Sequence, residues 1–145
     1  MESGMDVSLL KPYHGYQSSF IPFTSAYYLY LASWDSTPTS YPSFSNLWVI
    51  TPEDKRILFA DPSGSSEIVC LYHDFHEIYE ASISLDWASE NYLRVQCASL
   101  DGDHELNAEL YLHETLSSRR LLALASSPPL RSGFPNRWFP YRASY

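Results

Sequence analysis

At 145 residues, 45% hydrophobic and 18% charged, the chain is long enough to bury one sizeable core, too short for two comfortable domains, and too apolar to be largely disordered. Its formal net charge of -8 argues against nucleic acid and anionic membrane as partners, because affinity for phosphate backbones comes largely from Lys and Arg. The longest uninterrupted apolar run, Ala26 to Ala32, is far below the length that spans a bilayer, so membrane insertion is not expected.

The charge is unevenly placed. Residues 1–114 hold all 17 acidic residues against four basic ones, a balance of -13, whereas residues 115–145 carry Arg119, Arg120, Arg131, Arg137 and Arg142 and no acid, a balance of +5. Such a tail is expected to lie against an acidic body, its own or a neighbour's. Met1 to Leu10 has no basic stretch followed by an apolar one, so no secretory signal is read and a cytoplasmic location is the expectation. Cys70 and Cys97 lack CxxC spacing and fall in apolar stretches that read as strands, which predicts two buried free thiols.

In chain order, residues 1–24 scatter Pro12, Gly15 and Pro22 among tyrosines and phenylalanines, which predicts an irregular arm held down by rings. Ser25 to Trp34 reads as a strand with both faces buried, Tyr28, Tyr30 and Trp34 on one and Tyr27, Leu29 and Leu31 on the other. After a Pro- and Ser-rich loop, Leu47 to Ile50 and Arg56 to Phe59 flank a polar five-residue connection and predict a hairpin. Asp61 to Ser66 is a loop, and Glu67 to Phe75 reads as a strand.

The cleanest alternation is Ala81, Ile83, Leu85 and Trp87 against Ser82, Ser84 and Asp86, the period of two that a half-buried strand requires. Tyr92 to Leu100 and Glu105 to Leu112 then flank Asp101-Gly102-Asp103-His104 as a second hairpin, with Gly102 suited to a positive φ. Leu116 to Ala125 reads as a short helix or one more strand, ended by Pro128 and Pro129. The expected organisation is a single mainly β domain over 1–127 and a basic, Pro- and aromatic-rich tail over 128–145. Hairpin-sized loops favour an antiparallel meander, and closing it into a β-barrel would remove its edges.

Phosphate-cradling glycine motifs and the GxSxG nucleophile motif are absent, and no cofactor is implied. The densest group of ligand-type side chains is His73-Asp74-Phe75-His76-Glu77 with Glu80. On a helix His73, His76, Glu77 and Glu80 would share a face suited to a divalent metal. At a bend between strands the same residues make a solvated turn, with His73, Asp74 or His76 as candidates for acid/base work. No metal site is assigned.

The aromatic excess is the remaining signal: Tyr28, Tyr30, Trp34, Trp48, Tyr72 and Trp87 all fall on expected strands. In a small barrel such rings either fill the interior or line a cavity for a small lipophilic ligand. An enzyme of hydrolase, hydratase or isomerase type, and a homodimeric module joined through Arg131, Arg137, Trp138 and Arg142, are the alternatives.

The stretch Ser-Ile-Ser-Leu-Asp-Trp from Ser82, then Tyr-Leu-Arg-Val-Gln-Cys, Asp-Gly-Asp, and Leu-Asn-Ala-Glu-Leu-Tyr-Leu to Leu112, resembles successive strands of lipocalin-like barrels in the carotenoid hydratase and AttH group. The resemblance lies in rhythm and in Trp87 and covers about a third of the chain. It implies a barrel handling a lipophilic molecule, sometimes with water addition or cyclisation. Members of that group usually carry two barrels in a longer chain, so it further implies half of such a unit, and it transfers no catalytic residue.

Overall fold

A computed structural model of the chain describes residues 12–113. The expected helix over 116–125 and the tail over 128–145 lie outside the described residues. Eight strands and one short helix follow in the order β1 (His14–Gln17), β2 (Ile21–Pro22), β3 (Tyr28–Ser36), β4 (Phe44–Ile50), β5 (Arg56–Asp61), α1 (Ser66–Cys70), β6 (Glu77–Ser89), β7 (Tyr92–Ser99) and β8 (Glu105–Tyr111). They form one curled, open sheet in the order β1-β3-β4-β5-β6-β7-β8, with β2 also paired to β3. The expectation of a mainly β chain holds, while the described sheet is a half-barrel whose edge strands β1 and β8 are not paired to each other.

Both predicted hairpins form. The first is β4/β5, closed where Thr51 donates its N–H to the Lys55 carbonyl (3.0 Å) and Asp54 adopts φ 62°. The second is β7/β8, where the Ser99 and Asp101 side chains organise the turn: Ser99 Oγ accepts from the His104 N–H (3.0 Å), Asp101 Oδ1 accepts from the Asp103 N–H (3.0 Å), and Gly102 takes φ 80°.

Three expectations are corrected. First, the arm is not irregular throughout: β1 and β2 pair with β3, and Gly15 makes this feasible, since a Cβ at that position would run into the Ser33 carbonyl. Pro22 is tolerated because it sits on a short edge segment, where a missing N–H costs no ladder bond. The rings do hold the arm, with Tyr13 edge-on to Trp34 (5.4 Å) and Phe20 against Tyr30 (5.6 Å).

Second, Glu67 to Phe75 is not a strand. β5 and β6 pair in parallel, from Ile57 opposite Glu77 to Ala60 opposite Glu80, so the intervening chain has to cross over the sheet rather than hydrogen-bond within it. The crossover folds as α1, whose Val69 and neighbouring Ile68 cover Phe44 and Leu58 on the outer face. The sheet is therefore a meander interrupted by one parallel crossover, not a pure antiparallel meander. Third, Cys97 is buried in β7 as expected, but Cys70 is exposed at the end of α1.

Two apolar layers result, because alternate residues of β3, β4 and β5 face opposite ways. The inner layer joins Leu29, Leu31, Leu47 and Phe59 to Ala81, Leu93, Val95, Cys97 and Leu110, so the first half of the sheet packs on the β6-β7-β8 half. Leu31, Leu47, Leu58 and Val95 are fully buried. The outer layer, under α1, is built on Phe44, Leu58 and Val69 with Trp34, Tyr41, Trp48 and Phe75 around it.

Candidate functional site

The inner faces do not meet along the whole sheet. Where β3 and β4 face β8, at the mouth of the half-barrel, they leave a cleft of about 170 Å³ lined by Phe23, Tyr27, Tyr28, Leu29, Val49, Leu106, Asn107 and Ala108. On β8, Leu106 and Ala108 are the half-buried positions, whereas Asn107 is exposed and its side-chain amide donates to Glu105 Oε1 (2.9 Å). Leu29 forms the floor, buried at 3% exposure, whereas Phe23, Tyr27 and Tyr28 stand 36%, 43% and 44% exposed around the rim. Their placement follows from the tight turn ahead of β3, where Phe23 N–H donates to the Tyr27 carbonyl (2.9 Å) and Ala26 takes φ 63°.

The six predicted ring positions do not converge on one cavity. Tyr28 alone lines the cleft. Tyr30 and Trp48 are cross-strand neighbours (ring centroids 4.5 Å apart) in the outer layer, and there Phe20 and Phe75 close round Trp48 at 6.0 and 5.1 Å. Their polar ends are engaged within the protein: Tyr30 Oη donates to Gln17 Oε1 (2.7 Å), and Trp48 Nε1–H donates to Asn46 Oδ1 (2.7 Å). Trp34 belongs to the same outer layer. Trp87 stands at the end of the inner face of β6, edge-on to Tyr16 at 5.7 Å, and burial there raises the Tyr16 phenol above its ordinary value. Tyr72 follows the helix and is 80% exposed, which corrects its assignment to a strand face.

The histidine-rich segment is also dispersed. His73 lies against Trp48 on the outer face (4.5 Å), and Asp74 is exposed beside it in sequence. His76 is the hinge of the parallel pair: its N–H donates to the Arg56 carbonyl (2.9 Å) and its Nδ1 accepts from the Arg56 N–H (3.0 Å). That lone pair is therefore committed to the backbone. Glu77 pairs with Lys55 and accepts from Tyr79 Oη (2.8 Å), and these contacts hold its carboxyl below the usual range. Among the described residues, no group of three or more His, Cys, Asp and Glu side chains is placed to hold a metal ion.

A second, polar opening of about 250 Å³ lies at the far end of β3, β4 and β5, between Ser33, Asp35, Ser45 and Asp61. Asp61 has a structural task there. Its Oδ2 accepts from the Ile83 N–H (2.8 Å), supplying β6 with an acceptor just where β5 stops pairing with it.

Of the cleft lining, the sequence reading named Tyr28 and missed Phe23, Tyr27, Leu29, Val49, Leu106, Asn107 and Ala108. Alternation shows that Leu106 and Ala108 face inward together, but not that they face β3, five strands away along the sheet. No family model, curated protein or solved structure matches this chain.

Proposed function

We propose that the protein is a non-enzymatic binding module that takes one small apolar or aromatic group into the cleft between β3, β4 and β8. The observation that carries this reading is the composition of the cleft: an aliphatic floor with aromatic residues at its rim and no charged residue. Binding sites for small molecules are concave and mainly apolar with few polar groups to orient the guest. At about 170 Å³ the open cleft has room for part of one aromatic ring or a short alkyl segment. A lipophile of greater length would have to lie partly across Phe23, Tyr27 and Tyr28. The lipocalin-like resemblance of Ser82 to Leu112 points to the same class of guest. An acid/base role for His73, Asp74 and His76 has less support, because the three side chains neither converge nor border this cleft.

Because the cleft is open and association costs offset part of the apolar burial, binding should be weak, with a Kd on the order of 1 mM or above. Toluene titrated into protein carrying labelled methyl groups should shift the Leu29, Val49, Leu106 and Ala108 resonances together along one saturable curve. Ala108→Phe, which fills the cleft, should abolish those shifts. Shifts confined to other residues, or no shift up to the solubility of toluene, would overturn the proposal.

A further inference from the structure

We propose that residues 131–142 of the same chain dock on this cleft, seating one aromatic ring in it and setting their arginines beside the acidic strand β8. The proposal shares its cleft with the function proposed above but does not require an external ligand.

Four observations favour this occupant. The first is size: the cleft has room for part of one ring, and the segment offers Phe134, Trp138, Phe139 and Tyr141. The second is exposure, since the lining residues Phe23, Tyr27 and Tyr28 are each at least 36% exposed, more apolar surface than a buried core would leave. The third is charge. Residues 12–113 hold 14 acidic residues against three basic ones, of which Lys55 is paired to Glu77 and Arg94 lies 3.7 Å from Asp86. The segment brings Arg131, Arg137 and Arg142 and no acid, and Glu105 and Glu109 of β8 flank the cleft residues Leu106 and Ala108 in sequence.

The fourth is reach. β8 itself leads into the segment, and Leu112 lies four residues, roughly 14 Å of strand, beyond Ala108. Trp138 follows Leu112 by 26 residues, a length of chain ample to span the return to the cleft. A tether of this length gives an effective concentration in the millimolar range, which favours the chain's own tail over a second copy at ordinary protein concentrations.

The test replaces Trp138, and separately Phe139, with the photo-crosslinking residue p-benzoylphenylalanine in the full chain, followed by irradiation and mass-spectrometric mapping. The expected product is monomeric and joins the tail to residues 23–29 or 106–108, its yield falling at least threefold in 0.5 M NaCl and in the Arg131→Gln/Arg137→Gln/Arg142→Gln variant. Cross-links elsewhere on the monomer, or none, would overturn the proposal, as would a dimeric product that grows with protein concentration, which would assign the tail to a second copy. Wild-type protein supplies a control that needs no substitution: nuclear Overhauser contacts from the Ala108 methyl to aromatic protons of residues 134–141, lost in 0.5 M NaCl. Toluene distinguishes the two readings. A cross-link that toluene suppresses supports both; a cross-link present in a cleft that no toluene enters supports docking and overturns the binding function alone.

Discussion

The two cysteines show how much a residue's behaviour depends on the element that receives it. Cys97 points into the inner layer from β7, at 2% exposure, and burial with the nearby Asp61 charge pushes its thiol up to about 12. Cys70 sits at the open end of α1, its thiol raised by partial burial first and by the Asp74 charge second. Because the thiolate is the reactive species, the two should separate cleanly in a thiol-labelling time course at pH 8. One equivalent should react quickly in native protein and the second only at the rate at which β7 opens, with both immediate in denaturant. Asp74→Asn should quicken the first phase and leave the second unchanged; two native phases of equal rate would contradict the burial of Cys97.

At the scale of elements, the junction of β5 and β6 is the least local feature of the fold, and Glu77 makes it responsive to pH. His76 and Arg56 exchange backbone and ring bonds at its start, and the Lys55–Glu77 pair adds charge beside them. Glu77's folded-state pKa is depressed by Lys55 and Tyr79, so its contribution to stability is present above its unfolded value of about 4.3 and lost as pH falls through the lower folded value. Glu77→Gln should therefore unfold at lower urea than wild type at pH 6, with the gap between the two midpoints closing toward pH 2. A gap that stayed constant with pH would mean that the carboxylate charge is not what matters. The same junction marks the limit of what could be read from the sequence. The hairpins β4/β5 and β7/β8 were legible because alternation, turn residues and partner all lie within about twenty residues. Strand β6 was legible from Ala81 to Trp87, yet its partner β5 was not, since parallel pairing leaves no local signature. The crossover was misread for a related reason: Ile68, Cys70 and Tyr72 alternate with Val69, Leu71 and His73 well enough to suggest a strand, but Ile68, Val69 and His73 meet the sheet while Cys70, Leu71 and Tyr72 are exposed. The aromatic excess correctly signalled heavy ring packing, while its division between an outer layer and a cleft rim depended on strand order.

For the whole molecule, the open sheet raises the question of whether its two halves are one cooperative unit. The path β1-β3-β4-β5 joins β6-β7-β8 through only four parallel register pairs, which alone would be a weak link. The side chains argue otherwise, because Leu31 and Leu47 from the first half and Val95 and Cys97 from the second occupy one continuous inner layer, each at 2% exposure or less. Truncating a fully buried aliphatic side chain costs about 2–5 kcal/mol for Leu→Ala and somewhat less for Val→Ala, and in a shared core that loss is felt on both sides. Native-state hydrogen exchange on Val95→Ala should thus lower the protection of Leu47 and Leu31 amides in β3 and β4 by the same amount as that of Leu93 in β7. Amides of β1 and of the edge strand β8 should exchange by local opening and change little, since strands at a sheet edge open below the global free energy. If β4 kept its wild-type protection while β7 lost it, the halves would unfold separately. The cleft would then be a boundary between two units, whereas a common loss makes it a gap in a single core, rigid enough to hold a ring in one place.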